Sequence, residues 1–242
     1  MSALRERFRA LHASGFFVMP NPWDVGSAVL LERMGFSALA TTSSGHAQAM
    51  GTDDHRVSFE EVCRHVASLV DAMSIPLSVD GGRLFAETPD GIAARVATLG
   101  QLGAAGISIE DYDPVTGTID PVPVSVTRVE AAVEAARDSG LVLTARADNH
   151  LCGVDDFEDT LRRLLAYRAA GADVVYAPGV DDPGPIRRIV DETGAAVNVL
   201  LTADGPKPGQ LAALGVRRAS TGGSLALAAY RTAEVAAGLL RA

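Results

Sequence analysis

The stretch QLGAAGISI, residues 101–109, ends a helical pattern at a glycine and runs within three residues into an apolar β-rich segment. A short helix-to-strand connection of this kind is the αβ half of a parallel β/α unit. The same junction recurs in ERMGFSALA (32–40), RAAGADVVY (168–176) and AALGVRRAS (212–220), a weak internal repeat. Working outward, the strands expected are FFVMP (16–20), ALATTSS (38–44), PLSVD (76–80), GISIED (106–111), VLTARAD (142–148), DVVYAP (173–178), AVNVLL (196–201) and RRASTG (217–222). Most are continuous apolar runs, as strands buried on both faces should be.

Between them lie segments of helical period. SFEEVCRHVASLVDAM (58–73) opens with Ser58 and carries Glu61 three residues on, a capping-box signature, and 88–103 and 125–140 are similar in build. Eight β/α units in 242 residues predict an α/β protein with a (β/α)8 TIM-type barrel, a fold of typically about 250 residues. A doubly wound open sheet is the competitor, but no GxGxxG follows the first strand. With no linker in view, residues 1–242 read as one domain.

The bulk numbers narrow the function. The chain is 48% hydrophobic with a formal net charge of −9 and a single lysine, Lys207. Without a dense Lys/Arg cluster it is not expected to bind nucleic acid. No run of 18 uncharged apolar residues is present and MSALRERFRA is charged, so neither membrane insertion nor secretion is expected and the location expected is cytoplasmic. Cys63 and Cys152 define neither a disulfide framework nor a zinc spacing.

In a barrel the active site lies at the C-terminal ends of the strands. The residues placed there are unusually polar. Asp80 and Glu110 end neighbouring strands, so their carboxylates could converge on one hard cation; equally, Asp80 could accept from the Gly81 and Gly82 N–H groups while Glu110 pairs with an arginine. Arg146 could hold a substrate carboxylate in bidentate fashion or neutralise Glu110. Thr42, Ser43 and Ser44, in TTSSG, offer hydroxyls and N–H groups in a tight turn suited to an oxyanion. His46 is a loop histidine, acid–base group or merely solvated, and STGGS (220–224) could bind phosphate or merely allow close packing.

Taken together, NPWDVGSAVLLERMGF, ALATTSSGHAQAMGTDD, SVDGG, AAGISIEDYD, TARAD and GVRRASTGGSLA resemble the phosphoenolpyruvate mutase/isocitrate lyase superfamily, in order from Asn21 to about Ala228. The resemblance implies a lyase or mutase that makes or breaks a C–C or P–C bond, or decarboxylates, on a small 2-oxo acid or related carboxylate through a Mg²⁺-stabilised enolate. It implies Asp80 and Glu110 at the metal, Arg146 and Thr42–Ser43–Ser44 on the substrate carboxylate, and Asp54 bordering the reacting group. It also implies a homo-oligomer, a dimer or a tetramer that exchanges its last helices.

Two departures stand out. The family's D-x-D-x-G-[FY]-G metal motif reads DGGRLFA (80–86) here, so Gly82 replaces the second acid and Arg83 adds a positive charge. The KKCGH-type loop of the lyases reads DYDPVTGTID (111–120), without Lys, Cys or His, leaving Tyr112 or Asp113 as substitutes by position alone. The alternative is therefore a barrel that binds a small carboxylate without metal and serves as a binding or oligomeric module. A Schiff-base aldolase is disfavoured, because Lys207 lies in the αβ region after the seventh strand.

Overall fold

The structure is a computed structural model and describes residues 2–54 and 56–241. Among the described residues there are ten strands: β1 Phe17–Met19, β2 Leu39–Ala40, β3 Leu77–Asp80, β4 Gly106–Glu110, β5 Tyr112–Asp113, β6 Thr118–Ile119, β7 Val142–Arg146, β8 Val174–Tyr176, β9 Ala196–Leu200 and β10 Arg218–Ser220. Eight of them form one parallel sheet in the order β1-β10-β9-β8-β7-β4-β3-β2. The ends of this sheet meet: the Ala40 N–H donates to Pro20 O at 3.1 Å, and Asn21 Nδ2 donates to Thr41 O at 2.8 Å. The result is the expected eight-stranded (β/α)8 barrel.

The helices are α1 Ala3–Ala13, α2 Val25–Arg33, α3 Ser43–Ala49, α4 Phe59–Ala72, α5 Pro89–Gln101, α6 Val122–Ser139, α7 Phe157–Ala169, α8 Pro183–Thr193, α9 Pro208–Ala213 and α10 Ser224–Gly238. The main core lies between the strands and the outer helices and includes Leu69, Ile92, Val96, Ile107, Leu143, Leu164 and Val197. A smaller cluster inside the barrel, Met19, Ala40, Ala105, Val142 and Val174, is closed by Phe8 from α1. Gly106 makes that closure possible, since a Cβ there would stand 2.5 Å from Phe8 Cε1.

Two sequence expectations are corrected. The strand predicted over 38–44 stops at Ala40, and residues 43–49 are helical. Thr42 caps that helix, its Oγ1 accepting the Gly45 N–H at 3.3 Å, so the serines open a helix rather than a turn. Gly45 is confined by packing, with a Cβ there only 2.6 Å from Thr42 Cγ2 and 3.1 Å from Trp23. The segment 111–120 carries the β5–β6 hairpin, which alternation did not reveal.

At the other end of the chain, α10 buries little beyond Ala226. Leu227, Tyr230, Val235 and, after the helix, Leu239 and Leu240 are all exposed. None of the helices among the described residues is long and apolar enough to cross a membrane.

Candidate active site

Asp80 closes β3, and Gly81 behind it admits no side chain: a Cβ there would lie 2.4 Å from Ser108 O and 2.8 Å from Leu84. The glycine lets the β3 loop pass close over β4. Asp80 is held by neither Gly81 nor Gly82. Its Oδ2 accepts from the Ser43 N–H at 3.1 Å, its Oδ1 from Ser108 Oγ at 3.3 Å, and its own N–H donates to Thr41 Oγ1 at 2.8 Å.

The β3–β4–β7 register brings Glu110 beside Arg146. Arg146 Nη1 stands 3.1 Å from Asp80 Oδ1 and 3.2 Å from Glu110 Oε2. Its other edge is bidentate to Asp148, Nε to Oδ1 at 3.2 Å and Nη2 to Oδ2 at 2.9 Å. With 13% of its side chain exposed, the guanidinium remains firmly charged: burial opposes the charge, but Asp148, Glu110 and Asp80 outweigh it. Glu110 is pushed the other way, its carboxyl raised well above the usual range by burial and by neighbouring Asp148 and Asp80 against the pull of Arg146. Arg146 Nη1 therefore neutralises Glu110 and borders Asp80.

Asp80 and Glu110 face a cavity of about 200 Å³ lined also by Thr42, Ser43, Asp54 and Gly82 together with α4 and loop residues. Ser43 Oγ donates to Asp54 Oδ2 at 3.4 Å, joining Asp54 to this patch. Two expected site residues lie outside the lining. Ser44 is exposed, its Oγ 3.2 Å from Thr42 Oγ1, where a Cβ on Gly223 would touch it. Arg146 borders instead a second cavity of about 60 Å³ beneath, which shares Thr41 and Asp80 with the first.

Arg83 lines the larger cavity, but its guanidinium is drawn to Asp120, at 3.0 Å between Nη2 and Oδ2, and to Glu87. The positive charge that Arg83 adds to the metal motif is thus already engaged by two carboxylates. His46 is no loop residue. It lies on α3 with its ring stacked on His65 of α4, centroids 3.7 Å apart. Burial lowers the pKa of His46, and burial with the neighbouring imidazole brings His65 to about 4. Asp113 lines the cavity from the hairpin, Cys63 packs against the core and Cys152 is exposed, and Lys207 precedes α9 with Nζ donating to Ala203 O.

Sequence reasoning missed the floor. Arg218, 3% exposed in β10, donates to Asn198 Oδ1 and Thr144 Oγ1, each at 3.0 Å, and contacts His12 Nε2. Burial lowers its pKa to about 10. Its signal was a charge where an inward-facing strand residue should be apolar. Asn21, after β1, was given no role; its Oδ1 accepts from the Thr221 and Gly222 N–H groups, tying β10 to β1.

Whether these residues suit Mg²⁺ is decided by the donors. They are hard carboxylate oxygens, two of them close enough to share one cationic nitrogen, and Mg²⁺ takes one or two carboxylates with water and substrate oxygens completing its shell. Gly82 leaves room on the same spot, since a Cβ there would stand 3.7 Å from Glu110 Oε1. Among the described residues no cluster of three or more acids, histidines or cysteines is arranged as an all-protein cage. The fit is to a sparsely held, hydrated ion.

A parallel barrel with a carboxylate-rich pocket at its C-terminal rim defines a class of small-molecule barrel enzyme. The chain matches the phosphoenolpyruvate phosphomutase family model over residues 8–240. It belongs to the phosphoenolpyruvate mutase/isocitrate lyase superfamily. It is 34% identical over 221 residues to an uncharacterised protein of Mycobacterium tuberculosis, spanning 89% of this chain and 81% of the relative. With the oxaloacetate decarboxylase of Paraburkholderia xenovorans it shares 32% identity over 218 residues, 84% of this chain and 71% of the relative. Among solved structures, a Burkholderia cenocepacia protein described as a lyase or mutase superposes with a TM-score of 0.94 at 43% identity, covering 98% of this chain and 87% of that one. Phosphonopyruvate hydrolase, solved with oxalate and Mg²⁺, superposes at 0.89 with 22% identity over 99% and 87% and shares the fold. The named relatives of the superfamily are described as lyases, decarboxylases and mutases.

Proposed function

We propose that the protein is a metal-assisted lyase-type enzyme acting on a small 2-oxo acid or related carboxylate, an oxaloacetate or phosphonopyruvate relative. The reaction is cleavage of a C–C or P–C bond, decarboxylation or mutase chemistry, with the oxo acid held or leaving as an enolate. The observation that carries this reading is the convergence of Asp80 and Glu110 on Arg146 Nη1 at 3.1 and 3.2 Å.

The charge of the cavity favours the metal-dependent form. Among the described residues its lining has five acidic side chains, Asp54, Asp80, Glu87, Glu110 and Asp113, against Arg83, which Glu87 engages, and Arg146 beneath, which borders Asp80 and Glu110, so acids outnumber cations. An anionic substrate is repelled by such a lining unless a cation stands between them. Asp80 and Glu110 would hold Mg²⁺, which when bound supplies Lewis acidity towards oxo and carboxylate oxygens.

The chain's own residues do the rest. A substrate carboxylate entering from the cavity competes with Asp80 and Glu110 for Arg146 Nη1, while Asp148 keeps the other edge of the guanidinium fixed. Thr42, Ser43 and Ser44 place hydroxyl and N–H groups at the start of α3, where negative charge is favoured. Of these, the Ser43 N–H is engaged by Asp80. Asp54 borders the reacting group through its contact with Ser43. The protein is also proposed to be a homo-oligomer assembled over the exposed apolar face of α10.

A screen of 2-oxo acids and phosphonates with and without Mg²⁺ tests the activity. Turnover is expected only with the metal, and Asp80→Ala and Arg146→Ala should each lower it at least a hundredfold. Full turnover in both variants contradicts the assignment.

A further inference from the structure

Resting on the carboxylate reading above, we propose that the substrate bears an uncharged apolar substituent of several carbons, seated against Val57, Val62, Phe85 and Ala86. Asp54, Asp80 and Glu110 with Ser43 form one connected polar patch in the cavity. Much of the remaining lining is apolar: those four residues and, from the β5–β6 loop, Pro114 and Val115.

Backbone strain points to the same wall. Leu84 and Phe85 both have positive φ, 61° and 51°, and Gly82, one residue before Arg83, stands at 50°. Left-handed backbone is strained for an L-residue, and such strain persists where the surroundings enforce it and tends to gather at ligand clamps. Leu84 is fully buried and anchors the loop, while Phe85 remains 42% exposed although it lines the cavity. Its ring leans on Phe59, centroids 5.6 Å apart, and Arg95 covers Phe59 at 4.2 Å. The loop thus holds an aromatic side chain half in water at the mouth, where an apolar ligand would cover it.

The same wall disfavours a charged group at the far end of that substituent. The stacked His46 and His65 imidazoles are held neutral by burial. Arg83 is engaged by Asp120 and Glu87, and Glu87 and Asp113 themselves line the cavity. A distal carboxylate would meet these acids, whereas a methylene chain or aryl ring gains by leaving water.

The test is displacement of oxalate in calorimetric titrations with Mg²⁺, using pyruvate, 2-oxobutanoate, 2-oxohexanoate, phenylpyruvate and 2-oxoglutarate. Affinity is expected to rise by up to about fourfold per methylene, with 2-oxohexanoate at least tenfold tighter than 2-oxoglutarate. In Phe85→Gly, whose backbone suits the left-handed conformation, the ratio of 2-oxohexanoate to pyruvate affinity should fall towards one. Pyruvate displacing oxalate with no dependence on chain length, or 2-oxoglutarate binding as tightly as 2-oxohexanoate, overturns this inference alone. Failure of every oxo acid to displace oxalate, or of oxalate to bind, overturns the carboxylate reading and this inference with it.

Discussion

Arg146 Nη1 donates to Asp80 Oδ1 at 3.1 Å, across 66 positions of sequence. The contact joins the ends of β3 and β7 over the strand between them, whose last residue, Glu110, contacts the same nitrogen. Removing this cation leaves three carboxylates, Asp80, Glu110 and Asp148, in a poorly hydrated rim. Arg146→Met should lower stability by about 3–5 kcal/mol, read as a shift of the urea midpoint. Arg146→Lys should recover part of that loss, because an ammonium cannot reproduce the bidentate contact with Asp148. A midpoint unchanged in both variants would mean the contacts carry no energetic weight.

The buried histidines set the acid response. His65 and His12 have pKa values lowered by burial to about 4 and about 3, against an unfolded value near 6.5. Between these limits the unfolded chain binds protons that the native chain does not, so stability falls as pH drops. The part due to His65 is absent above about pH 6.5 and complete below about pH 4, on the order of 3 kcal/mol. In His65→Asn the urea midpoint should fall less steeply over that range. Equal slopes in variant and parent would show that His65 titrates alike in the native and unfolded chains.

Gly81→Ala places a methyl 2.4 Å from Ser108 O. Backbone rather than a flexible side chain must yield, and overpacking of this kind costs about 1–3 kcal/mol. A lower thermal midpoint with weakened Mg²⁺ binding is expected, since Asp80 precedes the displaced residue. Wild-type behaviour in both measurements contradicts the packing described.

How much of this was legible in the sequence depends on the range of the forces involved. The barrel could be read because apolar runs and Gly-terminated helices are local signals. Asp80, Glu110 and Arg146 were legible as strand ends. That Arg146 sits between the other two, and that Arg83 is turned towards Asp120, depends on β3–β4–β7 register and on a loop 37 residues away, which no local pattern encodes. The α3 helix was hidden because seven residues with a glycine inside have weak periodicity, and the cap from Thr42 is shared with turns. Arg218 was missed because its neutral partners Asn198, Thr144 and His12 come from three distant elements.

The exposed apolar residues at the C-terminal end carry a prediction on assembly. Val235 is 68% and Leu240 86% exposed, more apolar surface than an isolated helix face usually leaves to water. Light scattering after size exclusion should give a dimer or tetramer, and Val235→Asp with Leu240→Asp should shift the mass towards one chain. A parent that already elutes as a monomer refutes the assembly proposal.

The central claim is that Asp80 and Glu110 hold a cation through which this acidic cavity accepts a carboxylate. Calorimetric titration of oxalate into the protein, with Mg²⁺ and with EDTA, tests it most directly. The account predicts binding with Mg²⁺ alone, lost in Asp80→Ala. Equal binding in EDTA, or undiminished binding in Asp80→Ala, would contradict it.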